Sequence, residues 1–263
     1  MSRNKNQSVL NGALILAVAT VVVKLIGALY KIPLTGLIGA VGRGYFNSAY
    51  EIYTPLYAIS MAGLPVAVSR LVAENVALHR YREARMIFRV AKRIFLITGI
   101  SGTLIMLAIA YPYTHYVADY RNLPAVLAIA PSIFFCCAMS AYRGYYEGLR
   151  NMTPTAVSQV IEAVGKLVLG LGLSYAVLKF GLSQFHSTGT VFGKAVIDEA
   201  DAYSNIYPIS AAGAVLGVTF GTVIGLLYMY ISHKIKGDGF TRVELVNSPK
   251  PAQSTEIAKR IIM

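Results

Sequence analysis

Charge is what this sequence has little of. Only 14% of its 263 residues are Asp, Glu, Lys or Arg, against about 25% in a soluble domain. A soluble chain could not cover its surface with so few, whereas a bilayer removes that requirement. Cysteine is nearly absent. Cys136 and Cys137 are adjacent in an apolar run, where neighbours on one helix point in different directions, so a disulfide framework is excluded and both read as small apolar filler. His79, His115, His186 and His233 are scattered without ligand spacing, which argues against a metal site, and no cofactor is expected. A cleavable signal peptide is also missing. Ser2 to Ser8 is polar and lightly basic, but the apolar run after it is too long for a signal core and has no small-residue cleavage site.

What is there is hydrophobic length. The hydrophobic share is 56% and the mean hydropathy +0.56. A spanning helix needs about 20 mostly apolar residues, and six stretches meet that length, at roughly 9–30, 48–70, 90–113, 123–142, 155–178 and 205–232. The first is interrupted by Lys24, and the second carries Tyr50, Tyr53 and Tyr57 before Gly63 and Pro65. Thr153-Pro154 is a helix start with proline at the first helical position. Gly63, Pro65 and Pro131 read as helix bends or as the ordinary tolerance of spanning helices for these residues. Gly213, Gly217, Gly221 and Gly225 place one face of the sixth helix close to a neighbour. The expected fold class is therefore all-α, a polytopic bundle of six transmembrane helices over residues 1–233, followed by a cytoplasmic segment over 234–263.

The net charge is +12. Nucleic acid, an anionic membrane surface or an anionic substrate would each fit such a balance, and the position of the charges decides. Arg3, Lys5, Arg70, the series Arg80, Arg82, Arg85, Arg89, Lys92 and Arg93, then Arg143, Arg150 and the basic residues from Lys234 onward fall on one side of the bilayer. Lys31, Arg43, Arg121, Lys179 and Lys194 fall on the other. This asymmetry predicts that both termini are cytoplasmic, in agreement with an even number of crossings, and makes membrane lipid rather than nucleic acid the partner. Glu74 to Arg93 reads as an amphipathic interfacial helix whose basic residues meet anionic headgroups, or as an ordinary basic loop. Residues 179–204, with Asp198, Glu199 and Asp201, are expected to form an irregular outer loop.

Two motifs mislead. Gly189-Thr-Val-Phe-Gly193-Lys194 is one residue too short for a phosphate-binding loop and is followed by Ala195 rather than Ser or Thr. Asn151-Met152-Thr153 matches a glycosylation acceptor but falls on the cytoplasmic side.

Ionisable residues inside spans are the candidate site, because each costs about 2.5–3.5 kcal/mol to insert and usually faces an interior or a wet cavity. Lys24 is the clearest case, with Lys31 further out on the same helix and Glu51 near the outer end of the second. Glu162 and Lys166 lie four apart on one helix face and can pair with each other. The bland readings are a neutralised pair for these two and snorkelling for Lys24. The functional one is a hydrated cleft of positive potential that attracts a polyanion such as a pyrophosphate headgroup.

Three strings carry a family likeness. Lys24–Leu34 (KLIGALYKIPL), Ala62–Glu74 (AGLPVAVSRLVAE) and Tyr142–Gln159 (YRGYYEGLRNMTPTAVSQ) resemble the polysaccharide-transporter branch of the multidrug/oligosaccharidyl-lipid/polysaccharide (MOP, MATE-like) exporter superfamily, including its sporulation and lipid II flippase members. The likeness covers the first two thirds of the chain and is weakest at 180–204. It implies two six-helix lobes in a V, a cationic central cavity and alternating access without ATP hydrolysis. It also implies importance for a basic residue in the middle of helix one, a position matched by Lys24 and followed closely by Lys31. Glu51, Glu162 and Lys166 match no motif and rest on burial cost alone.

The expected function is export of a lipid-linked saccharide of the undecaprenyl pyrophosphate type, with no enzymatic step and no catalytic residue. The alternatives are a cation-coupled multidrug antiporter, which needs a buried acid such as Glu162, a membrane enzyme using Asp198, Glu199 and Asp201, or a non-transporting partner protein. Transporters of this type have twelve or more helices. Ser254–Met263 reads as the capped start of a further helix, so the chain is expected to work with a missing C-terminal lobe or a second copy, and residues 1–263 alone are not expected to transport.

Overall fold

The computed structural model describes residues 9–61 and 63–262. Arg3 and Lys5 lie outside the described residues. The chain is almost entirely helical: α1 (Val9–Met61), α2 (Leu64–Ala77), α3 (Tyr81–Tyr116), α4 (Leu123–Gly148), α5 (Thr153–Thr188), α6 (Glu199–Lys236), α7 (Arg242–Asn247) and α8 (Ser254–Ile262). Five helical runs are long and apolar enough to cross a membrane, the first being the 68-residue run Leu10–Ala77.

That first run is two crossings. At about 1.5 Å per residue, Tyr30 and Phe46 would be about 24 Å apart on a straight helix. Their rings are 6.0 Å apart, and Arg43 Nη1 donates to the Lys31 carbonyl at 3.1 Å. The chain folds back at Gly39, where φ is 63°, a left-handed conformation that only glycine adopts at low cost. Tyr207 packs over this turn. With arms 9–38 and 40–61, the bundle has the six crossings that hydrophobic length implies. Gly63 (φ 68°) ends the second arm, and Pro65 sits in the first turn of α2.

Two expectations are corrected. Residues 74–93 do not form one interfacial helix: α2 stops at Ala77, His79 turns at φ 58°, and α3 begins at Tyr81. Residues 179–204 are mostly regular. α5 continues to Thr188, α6 starts at Glu199, and between them Thr190–Val191 pairs antiparallel with Lys194–Ala195. Phe192 (φ 48°) and Gly193 (φ 81°) form the hairpin turn, as a two-residue connection demands. The glycines of the false phosphate loop therefore serve backbone geometry, Gly189 (φ 64°) ending α5 and Gly193 the hairpin turn.

Helices α5 and α6 are joined along the glycine face. A Cβ on Gly217 would lie 2.2 Å from the Gly170 Cα, and one on Gly221 would lie 2.7 Å from the Glu162 carbonyl oxygen. Backbones this close exclude any side chain. Helix α2 meets α4 in the same way, at Gly144 and Gly148. Phe95, Ile129, Ile133, Met139, Tyr145 and Met229 fill the core. The outside is apolar as well. Leu10, Leu14, Val18, Val21, Leu25, Leu29 and Ile32 form an exposed stripe along the first arm, far more apolar surface than a soluble protein leaves uncovered. The chain is a multi-pass membrane protein.

After α6, α8 returns to the bundle. Ile257 and Ile261 are buried, and Arg260 lies 3.6 Å from both Glu74 of α2 and Glu83 of α3.

Candidate functional site

A cavity of about 440 Å³ opens between the two arms of α1 and helices α4, α5 and α6. Its walls are tyrosines: Tyr30 from the first arm, then Tyr50, Tyr53 and Tyr57 from the second. The last three recur at helical spacing and form a ladder, with Tyr50 edge-on to Tyr53 at 5.8 Å and Tyr53 stacked on Tyr57 at 5.5 Å. Gln159, Glu162 and Lys166 enter from α5.

Lys166 is the cation at the centre. Its Nζ donates to the Tyr50 hydroxyl at 2.7 Å and lies 5.0 Å and 5.4 Å from the ring centroids of Tyr50 and Tyr30. Tyr30 is itself fixed by donating to the Ala214 carbonyl at 3.1 Å. Two aromatic faces and one hydroxyl oxygen thus hold a cation that makes no salt bridge among the described residues, Glu162 acting on it only through space, and cation–π attraction strengthens where water is scarce. Lys166 is 13 residues into α5, which begins at Thr153, or about 20 Å along its axis.

Glu162 does not pair with Lys166. Its Oε2 accepts from Arg143 Nη2 of α4 at 3.0 Å, and Arg143 Nε donates to Ser158 Oγ at 2.9 Å. The side chains are 17% exposed for Arg143 and 28% for Glu162. This corrects the i, i+4 reading. A same-face pair was available, but Arg143 offers a planar fork of donors that engages Glu162 and Ser158 together. Arg143, read from the sequence as a loop charge, is inside α4. Its only sequence signal is its place within the string Tyr142–Gln159.

Lys24 and Lys31 are exposed on the first arm of α1. Lys24 is not among the lining residues; by helical register it falls between the lining positions Thr20 and Gly27 and the exposed apolar stripe of the same arm. Lys31 is one further turn on from Gly27, and its carbonyl accepts from Arg43. Glu51 is exposed and is not among the lining residues. The structure therefore brings Glu162 and Lys166 into one cavity and leaves Lys24, Lys31 and Glu51 outside its lining.

A tyrosine-lined cavity between helices long and apolar enough to cross a membrane, with one aromatic-held cation in its wall, defines a polytopic membrane protein with an internal cleft. The chain belongs to the family described as polysaccharide biosynthesis protein, whose profile matches residues 9–250. It is similar to three proteins of Bacillus subtilis (strain 168). Stage V sporulation protein B is 28% identical over 250 residues, covering 95% of this chain and 43% of that protein. Lipid II flippase MurJ is 27% identical over 189 residues, covering 66% of this chain and 34% of that protein. The uncharacterized membrane protein YabM is 26% identical over 182 residues, covering 69% and 33%. The chain thus spans less than half the length of these curated relatives. No solved structure matches it.

Proposed function

We propose that this chain forms one six-helix lobe, over residues 1–233, of a transporter that flips a lipid-linked saccharide across the cytoplasmic membrane, with both termini cytoplasmic. Residues 234–263 link it to a second lobe, supplied by further sequence or by a second copy. The observation that carries this reading is Lys166, held in the cavity by Tyr30 and Tyr50 and in no salt bridge among the described residues. A cation that a protein keeps at membrane depth without a carboxylate partner is suited to receive an anion.

The headgroup phosphates engage Lys24, exposed on the first arm, and then Lys166, while Lys31 extends the basic face along that arm. The tyrosines offer flat faces on which sugar rings stack, and the polyprenyl tail stays in lipid. The lobes rock, and the substrate leaves without chemical change. The antiporter alternative is less well supported, because Glu162, the acid it needs, is neutralised by Arg143.

The test measures accessibility of a prenyl-diphosphate-linked saccharide in vesicles containing the complete two-lobed transporter. Lys166→Gln and Lys24→Glu are each expected to lower the flipping rate at least tenfold. Unchanged flipping in both variants would remove the phosphate-binding role of the cavity.

A further inference from the structure

A second groove lies away from this cavity, between α3 and α6 with α4 behind it. Its two parts meet at Lys92. The inner part, about 240 Å³, is walled by Leu96, Phe134, Ala138, Leu226, Leu227 and Tyr230. The outer part, about 260 Å³, is walled by Arg85, Arg89, His233 and Asp238. Lys92 and Tyr142 border the apolar side, and Lys92 also borders the basic side. No lining residue is shared with the tyrosine cavity.

Sequence register explains the shape. Arg85, Arg89, Lys92 and Leu96 are spaced at four, three and four residues, so they follow one face of α3. The antiparallel wall of α6 runs from His233 through Tyr230 to Leu227 and Leu226. Both walls change from polar to apolar in the same direction over about 16 Å, as a bilayer does between headgroup and acyl chain.

The charges are not used up internally. Asp238 is engaged by Arg85, whose Nη2 donates at 2.9 Å, and by the Tyr145 hydroxyl at 3.3 Å. His233 Nδ1 is bonded to the Tyr146 hydroxyl at 3.2 Å. Among the described residues neither Arg89 nor Lys92 takes part in an ion pair. Lys92 Nζ instead rests 4.7 Å over the Phe88 ring, at the point where the groove turns apolar.

We infer that this groove is a binding site for one anionic glycerophospholipid of the surrounding membrane, with its phosphate between Arg89 and Lys92 and an acyl chain along Leu96, Phe134 and Leu227. Two free cations meet an anionic headgroup, and the apolar part accepts what a free phosphate lacks.

The chain contains no tryptophan, so Leu227→Trp supplies a single emitter inside the groove at a half-exposed position. In vesicles, phosphatidylglycerol brominated on its acyl chains should quench this residue in preference to brominated phosphatidylcholine. Each headgroup-facing cation is worth roughly a factor of five, so the preference should reach up to about 25-fold. Adding Arg89→Gln with Lys92→Gln should bring it to one, whereas Arg80→Gln, a basic change elsewhere on the exposed surface, should leave it intact. Should the double variant fail to fold, Arg89→Lys with Lys92→Arg keeps both charges and must keep the preference. Equal quenching by the two lipids, survival of the preference in the double variant, loss of it in the charge-keeping variant, or its abolition by inorganic phosphate or undecaprenyl phosphate would each overturn the assignment. Its failure would leave the tyrosine cavity untouched, since the two sites have no residue in common.

Discussion

Replacing Arg143 with Gln should destabilise the bundle by about 2 kcal/mol, and replacing Glu162 as well should recover about half of that. Breaking a buried ion pair by removing one partner costs about 3–5 kcal/mol, because a charge is left uncompensated. Here the side chains keep 17% and 28% exposure and border an open cavity, so water relieves part of the penalty and the figure falls to about 2 kcal/mol. For a chain of this size that corresponds to a fall in Tm of about 4–8 °C. The assay is a double-mutant cycle on thermal unfolding in detergent, with Arg143→Gln, Glu162→Gln and the pair, beside a parallel cycle on Lys166→Gln and Glu162→Gln. The Arg143–Glu162 coupling should be about 1–2 kcal/mol. The Lys166–Glu162 coupling should stay near the 0.5 kcal/mol of an ordinary helix-face pair. If the second coupling equals or exceeds the first, Glu162 belongs to Lys166 and the assignment of Lys166 as the unpaired cation fails.

Gly217→Leu should prevent α5 and α6 from docking, because even a Cβ there would lie 2.2 Å from the Gly170 Cα; loss of the monodisperse peak on size exclusion checks it. Gly172→Ala, with nothing within 4 Å of the added carbon, should instead raise stability by up to about 1 kcal/mol from helix propensity, read as a higher Tm. The segment after α6 should loosen in acid. Burial pushes the Asp238 carboxyl up, but the bond and charge of Arg85 outweigh it and hold the group below its ordinary value. The clamp is therefore fully present above the unfolded Asp value of about 3.9 and is lost as pH falls through the lower, folded one. Faster amide exchange over residues 238–247 below about pH 4, absent in Asp238→Asn, is the expected signature. Under the proposed function, Tyr50→Phe should weaken substrate binding less than Lys166→Gln, since it removes one hydrogen-bond partner and keeps the cation; an equal loss would place the tyrosine hydroxyl itself at the substrate.

Hydrophobic length made the crossings legible, because about 20 apolar residues in a row have no other use in so large a number. Helix ends were less so. α5 and α6 extend beyond the apolar windows at 155–178 and 205–232, since outside the hydrocarbon a helix no longer needs apolar residues to persist. The turn at Gly39 carries no polar loop and is marked by one glycine among several in 36–44, which pattern alone cannot single out. Of the site, the chemistry was readable and the partners were not. Lys166 and Glu162 stood out by insertion cost, but Tyr30 is 136 positions from Lys166 in the chain, and no local spacing reports that proximity. Arg143 sits close enough to the end of α4 to pass for a loop charge.

The contact between Gly170 and Gly217 constrains how the molecule can work. With main chain resting on main chain there, and Ser174 hydrogen-bonded to Ser210 further along the same seam, α5 and α6 have little room to slide or repack, and they travel as a single beam. A change in the width of the tyrosine cavity must then come from the first two arms swinging against that beam, pivoting where the backbone is already permissive, at Gly39 and Gly63. Lys166 rides on the beam and Tyr50 on the swinging part, so the bond between them is the latch that such a motion has to open.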